Sequence, residues 1–111
     1  FGPRSEQSHT VIELINTLAE NWGFDDIKKA YTVTGNIPFH EASLLKLNCD
    51  KALFHLKWEC NLLYSETIQM VSEWYSKFYQ SKENIYDFTI QQIDDYEQLG
   101  LTRNRKWTHK I

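Results

Sequence analysis

Seven polar residues between Pro38 and Ala52 are the first place to look for chemistry: His40, Glu41, Ser43, Lys46, Asn48, Asp50 and Lys51. A His-Glu pair opens the zinc-protease helix motif, but that motif needs a second His one turn on, so that both imidazoles face one metal. Position 44 is Leu, and the four histidines (9, 40, 55 and 109) are scattered, so no metal site is read. Two readings of His40 and Glu41 then stand side by side: loop residues bonded to backbone, or the border of a ligand cleft. Cys49 and Cys60 are eleven residues apart. Cys49 is placed to begin a helix, where the dipole can lower a thiol pKa. The competing reading is a buried structural cysteine. The aromatic stripe Trp74, Tyr75, Phe78, Tyr79 could stack on bases. Its helical spacing points instead to core or interface packing. The glycines stand alone at 2, 23, 35 and 100, so no glycine-rich phosphate loop is formed, and no nucleophile sits in a recognisable triad.

The elements that must hold these residues can be read from periodicity. Thr10 and Glu13 fit a capping box. Val11, Leu14, Ile15, Leu18 and Trp22 share one helical face, and Gly23 can end the helix in a left-handed cap, giving a helix over 10–22. Residues 28–34 alternate and are β-rich, which suggests an edge strand. Residues 44–47 read as a second short strand, with Leu45 and Leu47 toward the core and Lys46 outward. Asn48 is a natural cap for a helix over 49–56, with Trp58 packed under its end. The longest helix spans about 63–80, with Tyr64, Ile68, Val71, Tyr75 and Phe78 in one stripe, widened by Leu63, Met70 and Trp74. A further short helix near 87–93 takes Thr89 as its cap, and beyond Gly100 the chain is polar and solvated. No internal repeat or low-complexity tract is present. The fold class expected is α+β, with three to four helices and two or three short strands.

Composition bounds what such a chain can do. It has 111 residues, 41% apolar, with four Trp, six Tyr and six Phe, which is enough for a core. A net charge of −3 argues against general nucleic-acid binding, which needs a basic footprint. Two cysteines cannot make a disulfide scaffold, and a reduced, cytoplasmic setting is the default. No run approaches the ~20 apolar residues of a membrane span. The chain begins Phe1-Gly2-Pro3-Arg4, without a Met or a signal-peptide layout, as expected of a part of something larger.

Several stretches, in order, resemble the sugar-nucleotide dehydratases and epimerases of the extended short-chain dehydrogenase superfamily. Phe1-Gly2-Pro3 resembles a Phe-Gly-Pro of that family, and Glu20-Asn21-Trp22-Gly23 resembles the close of its next helix. His40-Glu41-Ala42 with Leu45-Lys46-Leu47 and Lys51-Ala52 is similar to its His-Glu-Ala-x-x-Leu-Lys-Leu-Asp-x-x-Lys-Ala. Leu56-x-Trp58, Trp74-Tyr75 and Thr89-Ile90-Gln91-Gln92-Ile93 follow, the last favouring the CDP-glucose 4,6-dehydratase branch. The resemblance covers roughly 1–98. Lys57 stands where the family has Gly, Cys60 where it has Pro, Asn48 where it has Asp, and Ser43 where it has His.

The resemblance implies a nucleotide-sugar-binding C-terminal lobe over 1–100, with a polar basic tail over 101–111 and the Rossmann half absent. It implies an NAD-dependent parent whose Rossmann half carries NAD and the catalytic Tyr and Lys. No Tyr here is followed four residues later by Lys, so the chain alone is expected to be catalytically silent. It implies His40, Glu41, Ser43, Lys46 and Ser5 at or near the substrate cleft, with Lys46 toward the diphosphate. The partners implied are a CDP-glucose-like nucleotide sugar together with the missing half, and a possible homodimer. The rival reading is a free-standing interaction module using the aromatic face of helix 63–80.

Overall fold

The computed structural model describes residues 1–4, 6–35 and 46–109. Among the described residues there are four α-helices: α1 (Val11–Trp22), α2 (Asp50–Leu56), α3 (Tyr64–Gln80) and α4 (Ile85–Thr102). Two short 3₁₀ turns, Ile27–Lys29 and Lys106–Thr108, complete the elements. Among the described residues there is no strand and no sheet, so the expected α+β class is corrected to helical.

The ends of α1 follow from its sequence. The Glu13 amide donates to Thr10 Oγ1 at 3.3 Å, and the Thr10 amide donates back to Glu13 Oε2 at 2.6 Å. That amide, with the Thr10 hydroxyl, holds the Glu13 carboxyl below its usual range. Gly23 takes the left-handed cap at φ 86°.

The strand expected over 28–34 gives way to a turn. Asp26 accepts the Lys28 amide at 3.1 Å, which starts the 3₁₀ turn Ile27–Lys29. Residues 31–34 are irregular, and Val33 is 83% exposed. Alternation shows which sides a strand would present, but a strand persists only where another pairs with it. Of the strand expected over 44–47, residues 44 and 45 lie outside the described residues, and Lys46 and Leu47 are irregular. Leu47, expected in the core, is more than half exposed and lies across Gly2.

Asn48 does cap α2. Its Oδ1 accepts the Asp50 amide at 2.8 Å and its amide group donates to Asp50 Oδ2 at 3.0 Å. At the other end Lys57 is the left-handed cap, at φ 54°. This is the position where the resembled family has Gly, and the backbone supplies the reason. A side chain with a Cβ crowds the carbonyl in this conformation, and Gly does not. Lys57→Gly is therefore expected to stabilise the chain by about 1 kcal/mol, read as a higher denaturant midpoint at unchanged slope. A lower midpoint would contradict this account.

In α3 the widened apolar stripe serves two neighbours. α1 and α4 each pack against α3. Trp22 of α1 meets Tyr79 at 6.2 Å between ring centres. On the α4 side, Trp74 Nε1 donates to Thr89 Oγ1 at 2.9 Å, and Gln92 Nε2 donates to the Met70 carbonyl at 2.9 Å. Ile68 and Ser72 are buried, while Val71 and Tyr75, expected in the same stripe, remain exposed.

α4 is far longer than the helix expected near 87–93. Thr89 is not its cap: it sits one turn inside, its hydroxyl donating to the Ile85 carbonyl at 2.7 Å. Gly100 does not end the helix, because Trp107 closes over it. In place of a solvated end, residues 103–109 fold back. Arg103 pairs with Glu66, Arg105 with Glu59, and the Trp107 indole stacks on Tyr96 at 5.6 Å.

Few apolar side chains are enclosed: Ala19 and Ile68 are the buried ones among the described residues, beside the polar Asn61 and Ser72. The chain measures 52 × 39 × 19 Å, with a radius of gyration of 17.2 Å. A compact chain of this length would have about 13 Å. It is a flat layer of helices with broad sides open.

Candidate functional site

Lys46 leads into α2 along one wall of a cleft of about 430 Å³. The N-terminal residues Gly2, Pro3, Arg4 and Glu6 also line it, together with Asn48, Cys49 and Asp50 at the start of α2 and Trp58, Glu59 and Cys60 after it. The Cys49 thiol donates to the Gly2 carbonyl at 3.5 Å and so ties the start of α2 to the N-terminal segment. Phe1 meets Trp58 edge-to-face at 5.0 Å. Gly2 is required here, since a Cβ would stand 2.9 Å from Leu47 Cδ1.

The charges on these walls are unequally held. Arg105, 16% exposed, makes a close ion pair with Glu59. Arg4, 62% exposed, reaches the same carboxylate only at 4.0 Å. Glu59 is thus already neutralised by Arg105, and Arg4 keeps its charge facing the cleft that Lys46 also lines. The cleft is lined by two cations, Arg4 and Lys46, by three carboxylates, Glu6, Asp50 and Glu59, and by the Trp58 indole. An Arg fork suits the paired oxygens of phosphate, and a Lys serves as a point charge.

Of the residues expected at a substrate cleft, Lys46 lines this one. Ser5, His40, Glu41 and Ser43 lie outside the described residues. Arg4 and Glu59 were not singled out by the sequence reading. Arg4 had a signal, since it directly follows the Phe1-Gly2-Pro3 stretch. Glu59 had none, because its partner Arg105 is 46 residues away. Cys49 is the residue before α2, half-buried, with its thiol donating to the Gly2 carbonyl. Among the described residues no group of three metal-binding side chains comes together.

A second cleft of about 540 Å³ lies behind the first and is apolar, lined by Phe1, Leu14, Trp58, Leu62, Tyr64 and Ile68 among others. His9 stacks on the Tyr64 ring at 3.7 Å. The Tyr64 hydroxyl is buried without a hydrogen-bond partner. No helix among the described residues is long and apolar enough to cross a membrane.

The chain is similar to a region of a sugar-nucleotide dehydratase. The relative is CDP-glucose 4,6-dehydratase of Salmonella typhimurium strain LT2, to which 96 residues are 30% identical, 86% of this chain. Those residues are 26% of the relative, so the chain spans about a quarter of that protein's length. No protein-family model matches the chain. No solved structure matches it.

Proposed function

We propose that the chain is the nucleotide-sugar-binding, C-terminal portion of an NAD-dependent CDP-glucose 4,6-dehydratase-like enzyme, catalytically silent by itself. The observation that carries this reading is Lys46. It belongs to the stretch that resembles the dehydratases, and it lines the same cleft as Arg4. A nucleoside diphosphate sugar has the matching chemistry: two phosphates for the two cations and a flat base for an aromatic neighbour. His40, Glu41, Ser43 and Ser5 complete the proposed substrate contacts. NAD is held elsewhere in such an enzyme, since the isolated glycines here form no phosphate-cradling loop. The setting proposed is the cytoplasm, in deoxysugar synthesis.

The test is a nitrogen–proton NMR titration with CDP, with UDP and dTDP as controls. Expected are shifts at Arg4, residues 40–46 and Trp58 that are larger for CDP than for the controls. Binding in the millimolar range is expected, because half a cleft must offset the lost rigid-body freedom with few contacts. No shift with any nucleotide, in a well-dispersed spectrum, would overturn the binding reading. Formation of a 4-keto sugar from CDP-glucose and NAD by this chain alone would overturn its silence.

One observation favours a second reading, the interaction module. Val71, Tyr75 and Tyr79 of α3 remain exposed between its two helical neighbours. A stable dimer in light scattering that is lost in Tyr75→Asp would support that reading.

A further inference from the structure

We infer that Arg105 is a positioning residue for the candidate nucleotide cleft: it holds the Glu59 carboxylate, and so leaves Arg4 available to an anion. This deepens the proposed function and rests on it. Arg105 lies beyond the stretch of roughly 1–98 that resembles the dehydratases, so the resemblance gives it no role. It does not line the cleft itself and acts through Glu59, which does.

Three carboxylates share the cleft with Arg4 and Lys46, so anion binding there depends on how each carboxylate is engaged. Asp50 accepts from the Asn48 side-chain amide at 3.0 Å. Glu6 is exposed, where water and salt screen it. Glu59 is within reach of two guanidinium groups. Its Oε2 makes the close ion pair with Arg105 Nη1, and the same oxygen lies 4.0 Å from Arg4 Nη2. Arg105 is the sheltered cation and Arg4 the solvent-facing one. Attraction is stronger where water is excluded, so Glu59 keeps Arg105. The fold delivers Arg105 to this place. Its amide donates to the Gly100 carbonyl at 2.9 Å, and its carbonyl accepts from the Thr108 amide at 3.0 Å and the Thr108 hydroxyl at 2.7 Å. Arg103 and Trp107 anchor the turn on either side, through Glu66 and Tyr96. The backbone that carries the guanidinium is thus fixed before any ligand arrives, and little ordering is left to be done at binding. Without Arg105 the cleft region loses one positive charge, and the Glu59 carboxylate competes with a phosphate for Arg4.

The test titrates CDP into the whole chain, followed by NMR, for wild type, Arg105→Ala, Glu59→Gln and the double variant. Arg105→Ala is expected to weaken CDP binding about two- to fivefold, the factor that goes with an exposed ion pair. Salt should narrow that difference. Glu59→Gln leaves the turn in place and is expected to bind CDP at least as tightly as wild type. The double variant is expected to regain the affinity lost in Arg105→Ala, because the competing carboxylate is gone. A double variant as weak as Arg105→Ala would overturn the inference, since Arg105 would then act only by holding the turn. The Arg4 Nε–H resonance of the ligand-free chain is an independent readout, expected to shift in Arg105→Ala and to return in the double variant. An unmoved Arg4 resonance, or an Arg105→Ala chain that binds CDP as wild type does, would overturn this inference and leave the nucleotide reading standing. Absence of CDP binding by the wild-type chain would overturn both.

Discussion

Arg103→Ala is expected to lower the stability of the chain by about 2–3 kcal/mol, the largest loss from any single charge removal described above. Arg103 holds three acceptors. Its Nη1 donates to Glu66 Oε2 at 2.9 Å and its Nη2 to Glu66 Oε1 at 2.6 Å, a parallel fork. Nη1 also donates to the Asn61 carbonyl. Asn61 is 1% exposed, and the paired side chains are 25% and 30% exposed. Alanine therefore leaves a buried carbonyl unpaired and a sheltered carboxylate without its cation. Glu66 is also the residue that accepts the Leu63 amide at 2.7 Å, at the start of α3. Leu63 has no side-chain oxygen to return that bond, so Glu66 alone secures this helix end.

The pH dependence follows. The Glu66 carboxyl is held below its ordinary value of 4.5, first by the Arg103 fork and then by the Leu63 amide. A group with a depressed folded pKa contributes stability above its unfolded pKa, and that contribution disappears as pH falls through the folded value. The wild-type chain is therefore expected to lose stability on acidification from about pH 5 downward, through the folded pKa of Glu66. Arg103→Ala should show a flatter acid limb, because the folded pKa returns toward the unfolded one. Urea unfolding at a series of pH values measures both effects. A variant with the wild-type midpoint at neutral pH, or with an equally steep acid limb, would remove the clasp from this account. Arg103→Lys separates charge from geometry: a point charge keeps attraction to Glu66 but cannot make the fork and the Asn61 bond together.

Gly100→Ala is expected to destabilise by about 1–2 kcal/mol, although alanine is the better helix former by about 1 kcal/mol. A Cβ at position 100 would stand 2.7 Å from both Cζ2 and Cη2 of Trp107 and 2.9 Å from Thr108 Cγ2. The indole must leave, and its stacking on Tyr96 goes with it. The readout specific to this mechanism is the Trp107 indole N–H resonance, expected to move to a solvent-exposed shift. A double-mutant cycle sharpens the test. In a Trp107→Ala background the obstacle is gone, and Gly100→Ala should become stabilising through helix propensity alone. If it destabilises equally in both backgrounds, the close approach of Trp107 is not the reason for glycine.

Local structure was legible in this sequence to the extent that its determinants are local. Thr10 and Glu13 marked the start of α1, Gly23 its end, and Asn48 the start of α2, because each acts on backbone groups within three residues. The α3 boundaries followed from an unbroken helical period. Thr89 misled, because a threonine that bonds back to the preceding turn looks the same in sequence as one that caps. The close approach of Trp107 to Gly100 was not legible either, because nothing local links the two positions. The β-rich run at 28–34 misled: Lys28 and Lys29 belong to a 3₁₀ turn, Ala30 is right-handed helical, and residues 31–34 are irregular. Within the candidate site, Lys46 was visible through its surroundings in sequence. Its facing cation Arg4 and the neutralised Glu59 depend on Arg105, and nothing in the sequence links positions 4, 59 and 105.

What the sequence determined by itself is therefore α1 with its capped ends, the extents of α2 and α3, and the resemblance of its ordered motifs to a sugar-nucleotide dehydratase. What only the tertiary structure decided is where the apolar surface goes. The composition is rich enough for a core, yet the chain spreads as a layer with Tyr86, Ile90, Ile93 and Leu101 outward. Periodicity specifies that a side chain wants cover. Whether another helix of the same chain supplies that cover depends on how the helices pack, and here α1 and α4 each pack on α3 while those four side chains stay exposed.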